Sequence, residues 1–113
     1  MTEKDPNGMD PHSPGAKVDA GKPRVSMVMN QFCRAIMEVS RVGTFGADKY
    51  TEGGWLTVPN AMQRYEDAGY RHKLYRAMGE DVDPDSGLLH LAHEAWNALA
   101  MLELHLREEN RCD

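Results

Sequence analysis

GLLHLAHEAWNALAMLELHLREE, residues 87–109, is the longest periodic stretch of the chain, and its reading decides the fold class. Leu88, Leu91, Ala92, Ala95, Leu99, Leu102 and Leu106 recur at three- and four-residue intervals, so on a helix they form one wide apolar face. His90, His93, Glu94 and Asn97 stand at i, i+3, i+4 and i+7 and share a second face, which His105 and Glu108 extend. No segment gives a β-strand comparable support, and no internal repeat is present.

Outward from this helix the pattern stays helical. The preceding EDVDPDSG, residues 80–87, breaks the period through Pro84, and Asp85 or Ser86 is suited to cap the helix that follows. Before it, Pro59 and Asn60 signal a start, and Ala61, Tyr65, Ala68, His72 and Tyr75 keep helical register to about Met78, with Gly79 as C-cap. An earlier helix begins at Ser26, with Val28, Phe32, Ala35, Ile36, Val39 and Val42 on one face, and stops near Gly43 or Gly46. Between them GTFGADKYTEGGWLTVP, residues 43–59, reads as a loop presenting Lys49, Tyr50 and Trp55. Residues 1–23 carry Pro6, Pro11, Pro14 and Pro23 and almost nothing apolar, which describes a flexible arm. The expectation is an all-α fold: a compact bundle of three to four helices over residues 24–110, preceded by that arm.

Bulk composition narrows the function classes. A chain of 113 residues is one domain with a modest core, for which homo-oligomerisation is a common way to add buried area. The net charge of -5 argues against a sequence-independent grip on a nucleic acid polymer, while a nucleotide held through a metal stays open. Cys33 and Cys112 make neither a metal spacing nor a disulfide framework, Cys112 lying in a frayed tail, so a reducing compartment is expected. With no apolar run of membrane-spanning length and no signal-peptide core, the expected location is the cytoplasm, with no membrane partner.

The chemistry concentrates between Asp67 and Asn97. The His90, His93, Glu94, Asn97 stripe is either a solvated face or a site, and neutral imidazoles one turn apart can bind a divalent metal or a phosphate, or act as acid and base. His72 is either a core histidine bonded to a carbonyl, Asp67 or Tyr75, or the group that meets the His90 stripe across a helix interface. Asp67 and Arg71 can form a surface ion pair, or Arg71 can clamp a phosphate with its planar fork. The acidic loop is no calcium loop, yet Glu80 and Asp83 can supply oxygens to Mg²⁺ or Mn²⁺. No Gly-Lys-Ser/Thr is present, so Lys49 belongs to no P-loop, although a loop lysine beside Tyr50 and Trp55 suits phosphate pairing and base stacking. Trp55 serves equally as a hydrophobic plug.

Taken in order, DAGKPR, GADKY, GGW, RH and GEDVDPDSGLLHLAHEAWN resemble the phage dATP/dGTP diphosphohydrolase N-terminal-domain family, which is similar to the MazG-like all-α nucleotide pyrophosphatases. The likeness runs from about residue 19 to 106 and touches Lys22, Arg24, Lys49, Tyr50, Trp55, Arg71, His72, Glu80, Asp83, Gly87, His90, His93 and Asn97. Two features depart from it. Gly54-Trp55 stands where Asn-Trp is common, and the E-x-x-E metal motif of MazG-like enzymes is missing, although Glu80–Asp83 has the spacing of E-x-x-D. The resemblance implies an oligomeric helical enzyme that splits a purine deoxynucleoside triphosphate into monophosphate and pyrophosphate with Mg²⁺ or a similar ion. On that reading some of Asp67, Glu80, Asp83 and His93 hold metal, and His72 or His90 is the general base. Lys49, Arg71, Tyr50, Trp55 and Asn97 hold the nucleotide. The competing expectation is a non-catalytic nucleotide-binding or interaction protein using the same groove.

Overall fold

The computed structural model describes residues 4–109, so Cys112 and its tail lie outside the described residues. Four α-helices run in chain order: α1 Val25–Asn30, α2 Cys33–Lys49, α3 Ala61–Ala77 and α4 His90–Glu109, with a short 3-10 turn Gly54–Thr57 before α3. The fold is all-α, as expected. The chain divides into two units at Phe32/Cys33. In the first, residues 4–24 contain no helix, and the Asp5 carboxylate gathers their turns by accepting the backbone N–H groups of Asn7 at 2.6 Å and Lys17 at 2.7 Å. α1 groups with the N-terminal segment, and α2, α3 and α4 fall in the second unit.

Within residues 33–109, α4 packs most extensively on α3 and also on α2, and the 3-10 turn rests on α3. α2 corrects one expectation: it does not stop at Gly43 or Gly46 but continues to Lys49. A glycine in a helix interior costs about 1 kcal/mol, which tertiary packing readily exceeds. At Gly43 the missing side chain is what permits that packing, since a Cβ there would stand 3.3 Å from Trp96 Nε1. Lys49 therefore sits on the last turn of a helix rather than in a loop.

α3 ends as its sequence forecasts. Gly79 adopts φ 101°, its N–H reaches the Arg76 carbonyl, and the Glu80 N–H reaches back to the Tyr75 carbonyl. This paired closure fixes where Glu80 leaves the helix. The chain then folds into a tight loop: Val82 and Leu89 form an isolated antiparallel bridge, Asp83 N–H donates to the Leu88 carbonyl, and His90 N–H to that of Asp81. α4 consequently starts at His90, and Asp85 and Ser86 lie too far upstream to cap it.

The orientation of α4 is the largest departure from expectation. His90, His93 and Asn97 are buried with Ala92 and Ala100, whereas Leu91, Leu99, Leu102 and Leu106 are 55%, 51%, 55% and 45% exposed. The part of the polar stripe from His90 to Asn97 is therefore not a solvated face, whereas His105 and Glu108 are exposed, and the leucines of the apolar stripe are not the core. Burial of three polar side chains is tolerated because each finds hydrogen-bond partners, as described next.

Candidate functional site

Three rings converge where α3 crosses the start of α4. His72, on the face of α3 that Tyr65 and Ala68 also occupy, stacks on His93 with centroids 4.3 Å apart and planes 7° from parallel. Its Nδ1 lies 2.8 Å from Nδ1 of His90. Two nitrogens this close require one proton between them or a shared cation. The other nitrogen of His90, Nε2, donates to Glu80 Oε1 at 2.7 Å, since a carboxylate can only accept. With Nε2 protonated, neutral His90 presents a lone pair at Nδ1. His90 is 1% exposed, so the Schellman-type turn that delivers Glu80 also decides the tautomer of a buried ring.

The loop before α4 supplies the remaining groups. Ser86 Oγ is 2.7 Å from His93 Nε2 and accepts the Leu88 N–H at 3.1 Å. Asp83 Oδ2 accepts the Ser86 N–H at 3.1 Å and lies 3.6 Å from His93 Nε2. Asp83 is held below the usual carboxylate range: burial pushes it up, but the Ser86 hydrogen bonds and the neighbouring histidines pull it further down. His72 and His93 are both pushed below the ordinary imidazole value, above all by burial; neighbouring imidazoles add to this at His72, and at His93 burial outweighs the upward pull of Asp83. Both are thus neutral at pH 7, with lone pairs to offer. A ligand atom each from His72, Asp83 and His90 can be chosen so that all lie within 4.8 Å of one another, a set able to hold a metal ion.

This cluster borders a groove of about 970 Å³ lined by α2, the 3-10 turn, α3 and α4. Along it stand Lys49, Tyr50, Trp55, Asp67, Arg71, His72, Asp83, His93 and Asn97. Its apolar wall is a three-ring cluster in which Trp96 makes edge contacts with Trp55 at 5.9 Å and Tyr65 at 5.5 Å, and the Tyr65 hydroxyl donates to the Trp55 carbonyl at 2.6 Å. Lys49 Nζ pairs with Asp85 Oδ2 at 2.7 Å, which raises its pKa, and it lies 5.4 Å from the Tyr50 ring centroid.

Residues 12–113 match the sequence profile of the family described as dATP/dGTP diphosphohydrolase, N-terminal. The chain belongs to that family. A curated relative, a dATP/dGTP diphosphohydrolase of Salmonella phage PMBT28, is 36% identical over 81 residues, covering 72% of this chain and 26% of the relative. The chain thus spans about a quarter of the length of that relative. No solved structure matches it. Among the described residues, no helix is long and apolar enough to cross a membrane.

In this chain the residues singled out in the sequence gather in one region, with informative exceptions. Glu80 and His90 do not line the groove; they stand behind His72, bonded to each other. Asp67 lines the groove but is outside the His72, Asp83, His90 set, and its Oδ1 accepts from Gln63 Nε2. Asn97 donates its amide to the His93 carbonyl at 2.8 Å, which braces the buried stripe. Glu94 holds Arg76 through two bonds of 2.7 and 3.0 Å that tie α4 to α3. Sequence reasoning missed Trp96, Tyr65 and the contact of Ser86 with His93. Trp96 precedes Asn97 on the buried side of α4, a placement visible only once the leucine stripe is known to face outward.

Proposed function

We propose that this chain binds a purine deoxynucleoside triphosphate in the groove between α2, α3 and α4 and hydrolyses it to monophosphate and pyrophosphate with a divalent ion. The carrying observation is the convergence of two cations, Lys49 and Arg71, with aromatic side chains and the His72, Asp83, His93 cluster along one groove. His72, Asp83 and His90 would hold the ion. When bound it neutralises phosphate charge and acidifies a coordinated water.

The protein groups then have separable tasks. Arg71 offers a planar fork to phosphate oxygens, and Lys49, which Asp85 holds on an exposed edge, pairs with another phosphate by leaving that contact. Tyr50, 76% exposed, is free to stack on a base, whereas Trp55 forms the packed wall behind it. His72 and His90, cast as bases by their residue type, face each other through Nδ1. His93, neutral and facing the groove with Nε2 steered by Ser86, is the better placed acceptor for the proton of an attacking water. The test is incubation of the pure protein with each dNTP and Mg²⁺ or Mn²⁺, followed by product separation. Pyrophosphate with dNMP supports the reading, and intact nucleotide under every metal sinks it.

A second reading, a module that holds the nucleotide without cleaving it, draws on the same groove of cations and aromatic side chains. Saturable dNTP binding with no product would select it. We further infer a homo-oligomer, with α4 as the seam. The stripe at 91, 95, 99, 102 and 106 reads almost alike in both directions, so an antiparallel pair centred near Leu99 sets Leu91 against the partner's Leu106 and Ala95 against the partner's Leu102.

A further inference from the structure

The buried pair His72–His90 and its outer carboxylate specify more than a generic divalent site. We propose that His72 Nδ1, His90 Nδ1 and an Asp83 carboxylate oxygen form a two-histidine, one-carboxylate seat selective for a first-row transition ion over Mg²⁺, with Glu80 positioning His90. The proposal deepens the hydrolase reading and rests on the same site, but it concerns which ion the chain selects.

Four observations carry it. The donor set contains two imidazole nitrogens and one carboxylate, a combination that suits Mn²⁺, Fe²⁺, Co²⁺, Ni²⁺ or Zn²⁺, whereas Mg²⁺ favours an all-oxygen shell. The two Nδ1 atoms are 2.8 Å apart. Metal–nitrogen bonds of about 2.1 Å place neighbouring ligand atoms on one ion roughly 3 Å apart, so little movement is needed to admit one. Glu80 accepts the Nε2–H of His90, which is the carboxylate–histidine arrangement that fixes the tautomer and aims the opposite nitrogen at a metal. Finally, the seat is rigid on both sides: His72 is stacked on His93, and Asp83 is tied down by the Ser86 N–H. His72 and Asp83 border the groove, which leaves the seat an approach from that side.

The experiment uses the untagged full chain, freed of metal by chelation, with no nucleotide present. Titration with Co²⁺ is followed by its visible ligand-field bands, with bound metal counted after dialysis. One Co²⁺ per chain, kept in the presence of a large excess of Mg²⁺, is the expected result. His72→Ala and Asp83→Asn each abolish stoichiometric binding while keeping the helical circular-dichroism spectrum. Glu80→Ala lowers affinity by about 10–100-fold with the bands unshifted, and Glu80→Gln, which can still accept from Nε2, recovers most of the loss. Absence of stoichiometric Co²⁺, displacement by Mg²⁺ at comparable concentration, or wild-type binding by His72→Ala overturns the proposal and leaves a proton-sharing histidine pair. Its failure is separable from that of the hydrolase reading. A protein that keeps Co²⁺ but cleaves no dNTP loses only the activity, and one that cleaves dNTP with Mg²⁺ alone while refusing Co²⁺ loses only this seat.

Discussion

At the scale of single residues, the imidazoles that share one buried corner have different duties set by what each nitrogen touches. His90 is locked at both nitrogens, by His72 and by Glu80, and has no groove exposure from which to meet a substrate. His93 reaches the groove and its Nε2 is steered by Ser86. For the proposed dNTP hydrolysis, replacement of His93 by Gln should therefore lower kcat by about 10²–10⁴-fold, the usual contribution of a positioned proton acceptor, with KM little changed. Steady-state kinetics checks this, and a wild-type kcat would reassign the proton. Ser86→Ala removes the steering contact but not the ring, so its loss of kcat should be smaller than that of His93→Gln. Equal losses would make the hydroxyl itself a participant. The residue types were legible in the sequence: His72, His90, His93 and Asp83 stood out as unnecessary for an ordinary core. Their division of labour was not, because it depends on which nitrogen faces which oxygen, and spacing along a helix carries no such information.

At the scale of elements, the ends of α3 were readable because local chemistry decides them, whereas α4 starts later than its sequence suggests, at His90, beyond reach of Asp85 or Ser86 as a cap. Pro84 and Gly79 act through backbone geometry that their own residue types impose. Gly79 at φ 101° is the sharper case. Gly79→Ala should destabilise the fold by about 1–2 kcal/mol, the cost of a left-handed conformation for an L-residue, as read by urea unfolding. Because the same turn sets Glu80 against His90, it should also weaken metal retention, whereas Gly79→Asn should be milder on both counts. The end of α2 was not readable, since Gly43 and Gly46 punctuate the sequence yet lie inside a helix, Gly43 beneath Trp96. The Arg76–Glu94 pair between α3 and α4 gives a pH-dependent test. Arg76 lowers the Glu94 pKa below its ordinary 4.5, so the pair's contribution is fully present above pH 4.5 and fades as pH falls through the folded value. With Arg76 39% exposed, solvent screening keeps that contribution small. Glu94→Gln should then melt below wild type at pH 7 and approach it at pH 3. A gap that persists unchanged at pH 3 would show that the loss is not electrostatic.

At the scale of the whole molecule, α4 was assigned its apolar face correctly as a pattern and wrongly as a core. Periodicity states that Leu91, Leu99, Leu102 and Leu106 share a side; it does not say whether that side meets the same chain or another. Among the described residues only Val42, Ala92 and Ala100 are buried apolar side chains, a thin core for a bundle of this length. Burial of a leucine contributes about 1.5–3 kcal/mol, so the four on the exposed stripe represent a large unrealised stabilisation in an isolated chain. The proposed pairing of two α4 helices would realise it and leave the groove, on the opposite face of the helix, accessible in both copies. Sedimentation equilibrium should therefore find twice the monomer mass, and Leu99→Glu, which sets two carboxylates at the centre of the seam, should return the protein to a monomer of lower thermal stability. Since Leu99 does not line the groove, Co²⁺ binding by that monomer should match wild type at temperatures where it stays folded. A wild-type protein that sediments as a monomer, or a Leu99→Glu variant that remains paired, would remove α4 from the seam and leave its leucine stripe facing a different partner.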